Sequence, residues 1–287
     1  MQTEKLYELG LYEKSMPSTL SWQDKFKHAR QAGFDYLEIS VDESDDKLAR
    51  LDYTAAQIAE IQTAMVETNT RLKSMCLSGH RKFPLGDPDP LKRQRSLEIM
   101  EKAIHLSCEL GVRIIQLAGY DTYYDEGTAE TERFFRENLA RAVEMAAKHG
   151  VTLGFETMET PFMDTVAKAM HYVELIDNPY LGVYPDIGNL QNAALIYQHK
   201  VVDDLATGHG HLVATHLKET IPGHYREIPF GTGHTDYLPS IQEVWRQGVR
   251  TFVGEFWYIG SEQWVEDLAF ANKFLRDKIE SAIKDFE

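Results

Sequence analysis

The sequence predicts an α/β protein, a single (β/α)8 TIM barrel that forms one domain over residues 1–287. The first observation behind this prediction is that eight short apolar runs alternate with helical patterns along the chain. The second is that acidic residues and a histidine recur at the ends of the last four runs. A length of 287 residues suits an undivided barrel, and 43% apolar residues can fill one large core.

The eight runs have the character of buried parallel strands, because they are short and almost continuously apolar. They cover residues 7–12, 36–41, 72–77, 114–120, 152–157, 181–184, 212–217 and 251–257. No glycine/serine linker, low-complexity tract or charge block interrupts the alternation, so nothing in the sequence marks a second domain.

The segments between the predicted strands carry helical periodicity. One example is the stripe formed by Leu97, Met100, Ile104 and Cys108, whose spacing places all four on one helix face. Where a helix pattern gives way to a strand pattern, glycine often supplies the left-handed cap that ends the helix. The glycines at such joints are Gly33, Gly111, Gly150 and Gly248.

An open, doubly wound sheet has the same local signature as a barrel. Closure is favoured because the polar residues come from four successive strands, and only a barrel mouth focuses four strand ends onto one point. In addition, no GxGxxG or Walker-type loop follows the first strand, so a nucleotide-binding fold has little support.

The four polar residues are Glu156, Asp186, His216 and Glu255, each at the end of a predicted strand. The first three are spaced 30 residues apart and the fourth follows after 39, about one strand, one helix and two loops per step. Carboxylates and imidazole are ligands that divalent metals prefer in proteins. The spacing therefore predicts a metal site at the mouth of the barrel.

Each of these residues alone also has a plain structural interpretation. Glu156 and Glu255 could be strand-end carboxylates bonded to a lysine or to backbone amides, since an unpaired buried carboxylate is costly. Asp186 could cap a local turn, and His216 could be a core histidine. The structural interpretation loses support when all four are considered together, because it must explain the same coincidence on four consecutive strands.

Cationic residues nearby give weaker signals. Lys218 stands two residues after His216 and so projects to the same side of the strand, where it could hold a substrate oxygen or pair with a glutamate. His80, Arg81 and Lys82 follow the third predicted strand. They form either an anion site at the mouth or a solvated loop.

Charge and composition narrow the class of protein. With 45 acidic against 30 basic residues, the formal net charge of −15 argues against binding along a nucleic-acid backbone. The N-terminal segment lacks the layout of a signal peptide, and no apolar run of about 18 residues occurs, so we expect a cytoplasmic protein without a membrane partner. Cys76 and Cys108 have no partner at metal-ligand spacing and are expected to be reduced core residues.

Several segments resemble a known family. They are GLYEKSMP, FDYLEISVDESDDKLARLDY, MCLSGHRKFPLG, SLEIMEKAI, IQLAGYDTYY, NPYLGVYPDIGNL and THLKET. Together they are similar to the L-xylulose-5-phosphate (L-ribulose-5-phosphate) 3-epimerases of bacterial ascorbate utilisation, in the xylose isomerase-like barrel superfamily. The resemblance extends from near residue 10 to about residue 257.

The resemblance implies one divalent ion, Mn, Mg, Co or Zn, held by Glu156, Asp186, His216 and Glu255. Related epimerases of unphosphorylated ketoses place a histidine three residues after the aspartate and an arginine six after the histidine. Here these positions hold Asn189 and Pro222, which favours a different substrate, such as a phosphorylated pentulose. The candidate substrate-binding residues are His80, Arg81, Asn189 and Lys218.

The resulting expectation is a metal-dependent 3-epimerase that passes through a metal-stabilised enediolate, with Glu156 and Glu255 as acid and base on opposite faces. The expected partner is a small-molecule sugar phosphate, and a homodimer is an open alternative. Two enzyme alternatives use the same metal, an aldose–ketose isomerase and a free-ketose 3-epimerase. A non-catalytic sugar-phosphate binder has less support, because a binder does not need paired glutamates.

Overall fold

Eight parallel strands form one sheet in the structure, a computed structural model that describes residues 6–286 except for the side chain at position 285. The strands are β1 (Glu8–Tyr12), β2 (Tyr36–Val41), β3 (Arg71–Leu77), β4 (Ile114–Ala118), β5 (Thr152–Glu156), β6 (Leu181–Tyr184), β7 (Thr215–Leu217) and β8 (Thr251–Gly254). The predicted strands 36–41 and 181–184 are confirmed residue for residue.

The strands follow the order β6-β5-β4-β3-β2-β1-β8-β7. This is chain order around a ring, and the ring closes between β6 and β7. Closure there rests on two isolated parallel bridges, Val183 with Leu212 and Asp186 with His216. The predicted (β/α)8 TIM barrel is therefore confirmed, and its seam lies between β6 and β7.

Helices follow the strands and cover the outside of the barrel. They are α1 (Trp22–Gln31), α2 (Asp45–Leu48), α3 (Ala55–Thr68), α4 (Pro90–Leu110), α5 (Ala129–Lys148), α6 (Val166–Ile176), α7 (Ile187–Tyr197), α8 (Val201–Ala206), α9 (Tyr237–Arg246) and α10 (Trp264–Ile283). The four predicted capping glycines all have positive φ, as a left-handed cap requires. Among the described residues, no helix is long and apolar enough to cross a membrane.

The strands β7 and β8 are each three residues shorter than the sequence predicts, whereas β1, β4 and β5 are shorter by one or two residues. In the segment 212–217 only Thr215–Leu217 pairs with β8, whereas on the β6 side the backbone makes single bonds, such as Val213 N to Val183 O. Residues 255–257 leave the sheet after Gly254 and turn towards the β1 loop, where Tyr258 N donates to Lys14 O at 2.8 Å. Both departures bring side chains to the mouth of the barrel.

The two cysteines are free, as expected. Cys108 lies half-buried on α4 beside the main apolar core, which supports the core interpretation. Cys76, on β3, is buried but lines the pocket at the barrel mouth together with the charged residues described below.

Candidate active site

The four predicted ligands lie together at the carboxyl ends of their strands. Glu156 is the last residue of β5, Asp186 lies two residues beyond β6, His216 is within β7, and Glu255 directly follows β8. One donor atom from each residue lies within 4.8 Å of the others, and all four side chains are buried. Parallel strands in a barrel end at one face, which explains why residues so far apart in sequence meet here.

Asp186 caps a helix, as one interpretation of its sequence position predicts, and also lies in the cluster. Its Oδ1 accepts the backbone N–H of Asn189 at 2.8 Å and so caps the first turn of α7. Its Oδ2 faces the cluster, 4.0 Å from His216 Nδ1. The cap fixes the direction in which the second oxygen points, so the local motif and the cluster support each other.

Lys218 also enters the cluster. Its Nζ lies 2.7 Å from Asp186 Oδ2 and 3.3 Å from Glu255 Oε2, and the side chain is buried. The same Glu255 oxygen, Oε2, lies 3.1 Å from His216 Nδ1. Pairing with the carboxylates was one of the two interpretations of Lys218, and the distances match that one.

Burial and neighbouring charges shift the pKa values of the carboxyl groups in the cluster. Burial, together with the charge of Glu255, raises the pKa of Glu156 to about 8. Burial raises the pKa of Asp186 to about 7, with Lys218 opposing and Glu255 adding to the shift. Although burial acts in the opposite direction, Lys218 and His216 hold the pKa of Glu255 well below its ordinary value. The buried carboxylates of the cluster thus carry more negative charge than Lys218 and His216 fully neutralise.

These residues fit a single divalent cation. Three carboxylates and one imidazole are a donor set that Zn²⁺ and Mn²⁺ accept. Ligand atoms around one ion lie no farther apart than about twice a bond length of ~2.0–2.2 Å, which the observed cluster approaches. Burial is the largest cause of the raised pKa values of Glu156 and Asp186, and Glu255 adds a repulsion that a cation at this point would offset.

One buried carboxylate next to the cluster was missed by the sequence reasoning. Glu38 of β2 places its Oε1 2.6 Å from His216 Nε2. Its Oε2 accepts hydrogen bonds from Ser74 Oγ at 2.6 Å and from Tyr184 Oη at 2.9 Å. The signal was present, because a glutamate interrupts the apolar run YLEISV of β2 just as Glu156 interrupts TLGFET.

A pocket opens above the cluster at the barrel mouth. Glu156, Glu255 and Lys218 line it, together with Arg81 and Arg226. The full lining is Tyr12, Lys14, Cys76, Ser78, Arg81, Glu156, Glu159, Lys218, Arg226, Glu255 and Trp257. The pocket therefore combines two of the four cluster residues, Glu156 and Glu255, with several cations, an arrangement that suits an anionic ligand.

Arg81 reaches this pocket, but His80 lies elsewhere. The His80 ring is buried under α4, where its Nε2 lies 3.1 Å from Ser96 O, and burial lowers its pKa to about 4. His80 is therefore a neutral packing residue in this structure and is not a cation at the mouth. Lys82 is exposed and pairs with Asp45 at 3.0 Å. The predicted cationic cluster thus contributes one residue, Arg81, to the pocket.

Asn189 lies behind the cluster, outside the pocket lining. Its side-chain Nδ2 donates to Thr157 O at 2.7 Å, which ties the first turn of α7 to the end of β5. Arg226, which the sequence reasoning missed, comes from the long loop after β7 and bonds Glu159 across the pocket. Nothing in the local pattern of that loop indicates where its side chains point.

Comparison with known proteins gives a consistent picture. The model of the family described as xylose isomerase-like TIM barrel matches residues 26–274. The chain is 41% identical over 279 residues, 97% of both chains, to the L-ribulose-5-phosphate 3-epimerase UlaE of Escherichia coli (strain SMS-3-5 / SECEC). The identity and the coverage are the same for the protein of that name from Escherichia fergusonii.

Solved structures share the fold at much lower sequence identity. A D-psicose 3-epimerase from Clostridium cellulolyticum H10, determined with D-tagatose, has a TM-score of 0.79 at 16% identity, covering 95% of this chain and 99% of that one. An L-ribulose 3-epimerase has a TM-score of 0.76 at 18% identity, covering 97% and 96%. These matches support the barrel topology derived above.

Proposed function

The chain belongs to the xylose isomerase-like TIM barrel family, and from that premise we propose that it is a 3-epimerase that interconverts L-ribulose 5-phosphate and L-xylulose 5-phosphate. It is an enzyme of the isomerase class. The observation that carries the proposal is the 41% identity over 97% of the chain to L-ribulose-5-phosphate 3-epimerases, combined with a mouth that holds both a ligand cluster and cations.

We propose that Glu156, Asp186, His216 and Glu255 hold one divalent ion. When bound, such an ion supplies Lewis-acid stabilisation of the negative charge that develops on substrate oxygens. Lys218, 2.7 Å from Asp186 Oδ2, balances part of the carboxylate charge. It also fixes the position of Asp186 from the side opposite to the α7 cap.

Proton transfer is assigned to Glu156 and Glu255. Epimerisation removes the proton at C3 and returns one to the other face, which is simplest with one carboxylate on each side. Glu156 ends β5 and Glu255 follows β8, and β6 and β7 lie between these strands at the seam side of the ring. The two side chains therefore approach the pocket from different directions, and their roles exchange when the reaction runs in reverse.

The phosphate is assigned to the cationic rim of the pocket. Arg81 has one long ion pair within the described part of the chain, 3.9 Å to Glu159, and its buried Nε has no hydrogen-bond partner there. Its guanidinium thus retains donor capacity for a dianion, and Arg226 stands across the same pocket. Because the net charge is −15, such local donors, and not the overall field, must attract the phosphate.

Solvent deuterium exchange would test this function. The metal-loaded enzyme is incubated in D₂O with L-ribulose 5-phosphate, L-xylulose 5-phosphate, other pentulose 5-phosphates and the free pentuloses. We expect label at C3 together with the C3 epimer. Label at C1 with formation of an aldose would instead identify an isomerase, and the absence of exchange with every substrate would identify a binding protein. Equal catalytic efficiency on free and phosphorylated pentuloses would identify the protein as a free-ketose 3-epimerase.

A further inference from the structure

The hydrogen bond between Glu38 and His216 connects the proposed metal ligands to the interior of the barrel. Glu38 Oε1 lies 2.6 Å from His216 Nε2, and both side chains are fully buried. The other ring nitrogen, Nδ1, lies 3.1 Å from Glu255 Oε2 and 4.0 Å from Asp186 Oδ2. The two nitrogens of one imidazole thus face different partners, Glu38 on one side and the ligand cluster on the other.

Both ring nitrogens face a carboxylate, Glu38 at Nε2 and Glu255 at Nδ1, and a carboxylate can only accept a hydrogen bond. A histidine that ligates an ion must offer it an unprotonated nitrogen, and Nδ1 is the nitrogen on the cluster side. The proton of a ligating His216 then belongs on Nε2, next to Glu38. The remaining polar neighbour, Gln116, has its amide nitrogen 3.0 Å and 3.3 Å from the two ring nitrogens. Because one amide nitrogen lies at nearly the same distance from both ring nitrogens, Gln116 does not distinguish between them.

Glu38 is itself held from two sides. Its Oε2 accepts Ser74 Oγ at 2.6 Å and Tyr184 Oη at 2.9 Å, and these residues belong to β3 and β6. Side chains from two other strands therefore determine where the Glu38 carboxylate lies. Because these hydrogen bonds hold the Glu38 carboxylate in place, the carboxylate determines the orientation of the His216 ring.

We propose that Glu38 is a positioning residue for the metal centre, which orients His216 and keeps its Nδ1 available as the ligand atom. This inference rests on the proposed function only in that Glu156, Asp186, His216 and Glu255 bind a divalent ion. A carboxylate that accepts the second N–H of a ligating histidine fixes the ring and makes it a stronger donor, and removing such a partner weakens metal affinity about 10–100-fold.

The test is metal affinity of the Glu38→Gln variant, with Co²⁺ as the probe. The amide keeps the size of the carboxylate but loses its charge, and its NH₂ group can turn a donor towards His216. Apo protein is titrated with Co²⁺ while the visible spectrum is recorded, since that spectrum reports the ligand geometry. We expect about 10–100-fold weaker binding and a changed spectrum for the bound ion. A residue with only a structural role would lower the melting temperature and leave the spectrum of bound Co²⁺ unchanged.

The matched control is Glu243→Gln, a buried carboxylate on α9 that belongs to neither the cluster nor the pocket lining, and this variant should bind Co²⁺ as the parent does. Should Glu38→Gln fail to fold, Tyr184→Phe and Ser74→Ala remove one hydrogen bond each from Glu38, and we expect a smaller loss of affinity from both. Unchanged affinity and spectrum in folded Glu38→Gln, or in both milder variants, would overturn the proposal. An inactive parent enzyme with an intact Glu38 effect would overturn the proposed reaction alone.

Discussion

Lys218 Nζ lies 2.7 Å from Asp186 Oδ2, so a buried ammonium and the proposed ligand cluster share one carboxylate. Although burial acts against the charged form, Asp186 and Glu255 raise the pKa of Lys218 above its ordinary value. The lysine therefore stays charged throughout the neutral range. It offsets part of the carboxylate charge of the cluster, which otherwise only the imidazole and a bound cation would neutralise.

Asp186→Asn should weaken divalent-metal binding by at least the ~10–100-fold that loss of an outer partner costs, and turnover should fall with it. The amide keeps an oxygen to cap α7 but removes the charge that pairs with Lys218. The measurement is bound metal per chain after dialysis against limiting Mn²⁺ or Zn²⁺. Full occupancy together with full turnover would show that Asp186 is not a ligand.

Glu156→Gln and Glu255→Gln should each reduce turnover by about two to four orders of magnitude, because the amide cannot accept the C3 proton. If each glutamate serves one face, each variant should still exchange the C3 proton of one epimer with D₂O, and the two variants should prefer opposite epimers. The exposed Glu144→Gln is the control. A variant that keeps its metal and near-parental turnover would contradict the two-base mechanism.

Arg81→Met should mainly raise KM for the pentulose 5-phosphate, by about 10–100-fold if one charge-assisted contact of ~1.5–3 kcal/mol is lost. Any activity on the free pentulose should change little, because that substrate has no dianion to bind. Steady-state kinetics on both substrates, with the exposed Arg133→Met as control, measure the difference. If Arg81→Met keeps the preference for the phosphorylated substrate, the phosphate is bound instead by Arg226 or Lys14, which line the same pocket.

His80 should make the fold sensitive to acid. Burial lowers its pKa from 6.5 to about 4, so the unfolded chain binds this proton more readily than the folded chain between those values. Its contribution to stability is therefore complete above about pH 6.5 and is lost as the pH falls towards 4, by about 3 kcal/mol in total. Urea unfolding of the parent and of His80→Gln at about pH 7 and pH 4.5 measures this.

The variant should lose less stability on acidification than the parent, whatever its stability at neutral pH. The control is His211→Gln, because the His211 side chain is exposed and should not alter the profile. Identical acid profiles for the parent and His80→Gln would mean that His80 is accessible to protons in the folded state.

The barrel itself was predictable from the sequence, and the reason is physical. Strands buried on both faces must be nearly continuously apolar, so all eight are visible as short runs, and a polar residue within one is costly unless it has a partner. The same rule located Glu156 and Glu255. Applied to the second run it would also have located Glu38, the buried glutamate of β2.

The pocket rim was less predictable, because it is built from loops. Arg81 and His80 are adjacent in sequence within the short 3-10 turn Gly79–Arg81, yet one enters the pocket and the other is buried under α4. Hydrophobic periodicity does not encode such a difference in direction. Arg226 meets Arg81 only after the long loop beyond β7 folds across the mouth, and this requires tertiary packing that no local pattern specifies.

A cation bound at the proposed site would also stabilise the seam between β6 and β7. Elsewhere around the ring ladders of at least three residue pairs join neighbouring strands, as β2 with β3, but here Val183–Leu212 and Asp186–His216 are single bridges. Asp186 and His216, two of the proposed ligands, lie on opposite sides of that seam. An ion bound by both residues would link β6 to β7, the neighbouring strands with the weakest pairing in the ring. Amide protons of β6 and β7 should therefore gain more protection from hydrogen exchange on metal loading than those of β2 and β3.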